Sequence, residues 1–198
     1  MHWSFTVVGV PETYVTPRPI PTPTDSAGTP VPYCTADDLS ARFAAGSLPK
    51  GVTAVFGGNL VFTNTSDTTC ALAGYPEVRF LDGTTPLGTN TMNHIDERSS
   101  TADGLHAVIV APGAHAYSSI DWYLPGENAK EEGACVARTV SSVQVDLAYD
   151  LSSPGQTGTL AVPIGRTTAC MNGAHGALGK YGQISSTVFV DYAATGRE

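Results

Sequence analysis

Residues 57–77, GGNLVFTNTSDTTCALAGYPE, constrain the chain more than any other stretch. Leu60 and Phe62 fall on one side of an extended backbone, and Val61 and Thr63 fall on the other. Glycines precede these bulky β-formers, so the segment reads as a strand. A polar turn, Asn64-Thr65-Ser66-Asp67, follows and leads to Cys70. A covalent tie from Cys70 to a residue distant in sequence turns strand and turn into a corner on which neighbouring strands take their register.

Composition extends this reading to the whole chain. Charged residues make up only 14 % of it, while Gly, Thr, Ser and Pro are abundant, as expected of many short strands joined by tight turns. Four cysteines, Cys34, Cys70, Cys135 and Cys170, include no CxxC pair and no histidine at zinc-finger spacing, so two disulfides are expected. Disulfides persist outside the reducing cytosol, which places the protein in the extracellular space or the cell envelope. Residues 1–10 carry only His2 as a potential positive charge, and their apolar run stops at Pro11. The export leader is therefore expected to have been removed or replaced. No apolar run reaches the ~18 residues of a membrane span. The net charge of −8 comes without a basic cluster, which excludes nucleic-acid binding through the phosphate backbone.

Two regions differ in kind. Residues 1–33 hold seven prolines between positions 11 and 33 and read as an extended Pro/Thr-rich arm or linker. Residues 34–198 read as a single disulfide-stapled domain. Thr35 and Asp38 form an imperfect capping box, but Gly46 and Pro49 leave room for no more than a short turn before a strand. Residues 52–56 form a brief β-prone piece that Gly57 and Gly58 separate from the next strand. Further strands are expected over 78–81, 105–110, 115–124, 143–149, 160–164 and 184–192. Within 115–124, Ala116, Ser118, Ile120, Trp122 and Leu124 share one face, with Trp122 at the centre of the core. Tyr117, Ser119, Asp121 and Tyr123 share the other, wet face. Pro163 demotes its strand to an edge. Residues 84–104 form the longest loop. The expected fold is an all-β, antiparallel, immunoglobulin-like β-sandwich of about eight strands.

Several spaced features also occur together. They are Cys34 followed by Asp38-Leu39, the run LVFTNTSDTTCALAGYPEV at 60–78, Ala111-Pro112-Gly113 before a strand ending in Asp121-Trp122, then Cys135 and Cys170. Over roughly residues 34–192 this set resembles the actinobacterial domain-of-unknown-function 4232 family of secreted proteins and lipoproteins. The resemblance implies a β-sandwich with two disulfides, an envelope or extracellular address, and no catalytic residues. Four cysteines allow three connectivities. The order along the chain favours Cys34 with Cys70 and Cys135 with Cys170, which closes two loops of similar size.

Chemistry is harder to find. There is no GxSxG and no HExxH, so no enzyme and no cofactor are expected. The alternative is an extracytoplasmic copper-binding protein using Met92, His94, Met171 and His175, because thioether and imidazole ligands suit copper. The reading adopted is a binding or accessory module whose partner is a protein or a cell-wall polysaccharide. Tyr117, Tyr123 and the 84–104 loop are the candidate contacts, with Tyr75 and Tyr181 as further ones. Trp3 and Phe5 are apolar anchors by which the arm 1–33 is expected to dock on another chain of a larger envelope assembly.

Overall fold

The computed structural model describes residues 22–46, 55–87, 90–94, 107–124, 136–147, 155–171, 183–187 and 189–191. Among these residues the chain is all-β apart from one turn of 3₁₀ helix at Ala36–Asp38. The strands are β1 (Leu39–Ala45), β2 (Val55–Asn64), β3 (Cys70–Leu72), β4 (Glu77–Asp82), β5 (Thr85–Pro86) and β6 (Asn90–His94). The rest are β7 (Val108–Val110), β8 (His115–Tyr123), β9 (Val136–Asp146), β10 (Thr159–Met171), β11 (Gln183–Thr187) and β12 (Val190–Asp191). They exceed the eight expected because the short piece β3 acquires its pairing only from distant β7, while β5 folds back on β4 across the turn at 83–84. No helix among the described residues is long and apolar enough to cross a membrane.

One sheet runs β1-β2-β8-β11-β6, with β12 also paired to β8; a second runs β10-β9-β4-β5; β3 and β7 form a third, two-stranded one. Pairing is antiparallel except between β11 and β6, where Gln183 stands opposite Asn90 in a parallel register. β6 and β5 lie within the stretch expected to be a loop. β6 is strand because β11 offers it a ladder, a tertiary contact that weak local β-propensity does not announce.

The two larger sheets share one core. Leu60, Phe62, Ile120 and Trp122 of the first sheet join Val78, Phe80, Val143, Val145 and Val162 of the second in a single buried cluster. Phe80 meets Trp122 edge-on across the core, with ring centroids 5.4 Å apart. The inward face of β8 follows the expected alternation, since Ala116, Ser118, Ile120 and Trp122 are all buried. Pro163 lies on β10, at the edge of its sheet.

The glycine pair of β2 does not separate two strands; the strand runs straight through it. A Cβ on Gly58 would stand 2.2 Å from the Ala44 carbonyl oxygen and 2.8 Å from the Phe43 ring. The glycine leaves room for that ring, which packs 6.0 Å from Trp122. Close approach of chains, and not a turn, explains the pair.

Candidate functional site

The residues that carry the family resemblance converge on one corner, where the Cys34–Cys70 disulfide joins the start of the domain to β3. Its Cα atoms are 5.0 Å apart, and both cysteines are buried. This is the pairing the cysteine order favours. Beside it, Cys34 N–H donates to Ala71 O and Ala71 N–H donates to Pro32 O, each at 2.9 Å.

Asn64, the last residue of β2, organises the corner. It is 1 % exposed, and a buried amide must find partners for all its polar atoms. Its Nδ2 donates to Thr68 O and to Val110 O, both at 2.8 Å. Its Oδ1 accepts from Ser66 N–H at 3.0 Å and from Ser66 Oγ at 2.8 Å. The backbone of Asn64 takes the Ala-Pro-Gly turn: Gly113 N–H donates to Asn64 O at 2.8 Å, and Asn64 N–H donates to Ala114 O at 3.1 Å. The Cys-to-Asp opening closes the group. Thr65 donates to Asp38 O from its N–H at 2.8 Å and from its Oγ1 at 3.1 Å. The Asp38 carboxylate in turn accepts from both the N–H and the Oγ1 of Thr35 at 2.8 Å. Three motifs far apart in sequence thus satisfy one another's backbone groups.

Gln156 is a member of this end that sequence reasoning missed. Fully buried, it imitates a strand: Ala73 N–H donates to its Oε1 at 2.6 Å, and its Nε2 donates to Ala73 O at 2.8 Å and Leu147 O at 3.1 Å. A glutamine in a polar stretch gives no local sign of such a role.

The proline-rich segment also reaches this corner. Its end is tied there by the bond from Ala71 N–H to Pro32 O, and within it the Asp25 carboxylate accepts from Ala27 N–H at 2.9 Å and Thr29 N–H at 2.8 Å to close a turn. Val31 N–H donates to Pro23 O at 2.8 Å, and Val31 is buried. Proline carbonyls serve here as acceptors, which a missing N–H does not prevent. Tyr33 is half-buried, and burial raises its phenol above the ordinary value.

Of the contact candidates, Tyr117 is corrected. Only 8 % of it is exposed, because it stands between Val61 and Val190 on adjacent strands and the outer face of the sheet is apolar at this row. The side chain of Tyr123 lies outside the described residues, as do Trp3, Phe5 and Tyr181. Tyr75 is half-buried. Of the four residues weighed for copper, Met171 is buried in the core cluster; His175 and the side chains of Met92 and His94 lie outside the described residues. Cys170 is buried and disulfide-bonded, while Cys135 lies outside the described residues.

The opposite end is built differently. There Phe43 and Phe56 pack on Trp122, with centroids 6.0 Å and 5.0 Å away, and half-buried Leu87 and Leu124 border the same core. Trp122 Nε1, among the described residues, is the buried side-chain donor without a partner. β1, β8 and β10 end here, and β2, β9 and β11 begin here, so the connections 47–54, 125–135 and 172–182 leave and return at this end.

No curated protein and no solved structure matches the chain. One family does: the profile described as a domain of unknown function (DUF4232) matches residues 34–178, more than two thirds of the sequence, from the first corner cysteine past Cys170. Because that match covers well over half of the chain and holds the whole Cys34, Asp38, Asn64, Cys70 and Gly113 corner, the chain belongs to the DUF4232 family.

Proposed function

We propose that this chain is a non-enzymatic binding module exported to the envelope or surroundings of an actinobacterial cell. In this reading it is an immunoglobulin-like β-sandwich closed by a second disulfide between Cys135 and Cys170. Cys135 is the one cysteine left to pair with Cys170, and two disulfides suit an oxidising compartment. The observation that carries the reading is how the signature residues are used. Their polar groups are consumed in hydrogen bonds within one corner, so the family motif supports the fold and leaves recognition to other surfaces.

Variable contacts belong on loops held by a rigid scaffold. The end opposite the corner, where three long connections leave the two sheets beside Phe43 and Phe56, is the recognition surface. The partner is an envelope protein or a cell-wall polysaccharide, and the distal arm with Trp3 and Phe5 contacts a neighbouring chain of the same assembly. Cross-linking of the tagged chain in intact envelopes, run beside retention on insoluble cell wall, tests this. A specific partner or saturable retention is expected; failure of both with folded, exported protein would refute it.

A further inference from the structure

The edges of the two large sheets are not equally protected. β10 carries Pro163 and a register shift between Pro163 and Thr167, with Gly165 inside it at φ 76°. β1 lies alongside β10, and β5 is two residues long and ends in Pro86. Prolines, bulges, short strands and covered edges are the usual means of blunting an open ladder.

β9 lacks them over half its length. Its pairing with β4 stops at the pair of Leu81 with Ser142, whereas its pairing with β10 continues to Val136. Residues 136–141 therefore have a described neighbouring strand on one side only. Both faces are open as well: Val136, Ala137, Arg138, Thr139 and Ser141 are exposed, and Val140 alone turns into the core. Val136 is 41 % exposed, the large hydrophobic residue left out of the core among those described. The run VARTVS holds two valines and a threonine, with neither proline nor glycine, and is ready to accept another strand.

Charge selects the occupant. Arg79 is neutralised by Glu77 on its own strand, but Arg138 on this edge and Arg166 on the adjoining bulge are exposed and have no hydrogen bond or ion pair among the described residues. In a chain of net charge −8, Arg138 gives the open stretch of β9 a cation, while Arg166 lies on β10, across β9 from the open side. A second copy is a poor fit. Antiparallel self-pairing would bring the two Arg138 side chains near each other, and six residues span only ~20 Å, too little for the ~1,200 Å² of a stable interface.

We propose that residues 136–141 of β9 take up an extended, acidic segment of a protein partner as an added strand, with a carboxylate on Arg138. The proposal rests on the binding-module reading and gives that module a surface and a partner chemistry.

The test uses the full chain and an array of peptides about ten residues long, with β-branched residues alternating with Asp, Ser or Lys. Asp-bearing peptides should bind about tenfold more tightly than Lys-bearing ones, and the variant Arg138→Glu should reverse that order. The position is exposed, so the variant keeps its fold. The best peptide should also slow amide exchange of residues 136–141, which a purely ionic contact would not do. Equal binding of Asp and Lys peptides, or no binding, overturns the proposal. Protection confined to the strand ends around Phe43 and Phe56 overturns it too but leaves the module reading intact. A dimer that protects 136–141 makes a second copy the occupant and rules out the acidic partner.

Discussion

The two ends of the molecule solve the same problem, closing a pair of sheets, by opposite means. At the corner end, side chains stand in for backbone: Asn64, Gln156, Asp38 and Asp25 complete ladders and turns, and the Cys34–Cys70 bond locks them. At the other end, closure is aromatic, with Phe43, Phe56 and Phe80 around an indole whose N–H has no partner among the described residues. Directional bonds fix one arrangement, whereas aromatic packing tolerates change at its rim. The first end holds the fold, and the second tolerates change at its rim.

This contrast can be broken by experiment. The largest effect is expected from Cys34→Ala with Cys70→Ala. The bridged residues are 36 apart, and the chain-entropy model gives a loss of about 4 kcal/mol, read as a lower denaturant midpoint. Asn64→Ala comes next. It removes the amide's bonds to the Val110 and Thr68 carbonyls and to the Ser66 N–H, leaving Thr68 O only the Ser66 Oγ at 3.1 Å, and should cost about 3 kcal/mol. Phe56→Ala at the opposite end removes a larger side chain, yet this residue is half-buried, and the loss should be only about 1–2 kcal/mol. If Phe56→Ala proves the costlier of the two, the division of labour between the ends is wrong.

Trp122→Phe sharpens the comparison. It leaves a small void but also removes the unpartnered donor, so the two effects oppose each other and the net change should stay within about 1 kcal/mol. A much larger loss would mean that Nε1 has a partner in solution.

The smallest effect is one of pH. Burial raises the Tyr33 phenol above its ordinary value. Above pH 10 the unfolded chain therefore holds fewer protons at this site than the folded one, and stability falls as pH rises through that window. Below it Tyr33 contributes no slope. Tyr33→Phe should remove this part of the alkaline loss, measured as the difference between wild-type and variant melting curves above pH 10.

Strands with strict alternation were legible in advance. In β8 every second residue from Ala116 to Trp122 is buried, because a one-residue slip would put all of them into water. Residues whose roles depend on a distant partner were not. Tyr117 has the sequence position of a wet-face residue, but Val61 and Val190 on neighbouring strands cover it. β6 has no β-prone composition, and only β11 makes it a strand. The open stretch of β9 depends on where β4 ends, which no pattern within β9 reveals.

By itself, then, the sequence determined the all-β class, the core face around Trp122 and the edge position of Pro163, since side-chain period and the missing proline N–H are local properties; cysteine order favoured the Cys34–Cys70 tie, and the structure fixed it. Only the tertiary structure decided that Asn64, Gly113 and Asp38 meet, that Gln156 completes a ladder with Ala73, and that residues 136–141 have a described neighbouring strand on one side only. Each of these depends on which backbone groups are already satisfied by segments tens of residues away, and that accounting exists only once the chain has folded.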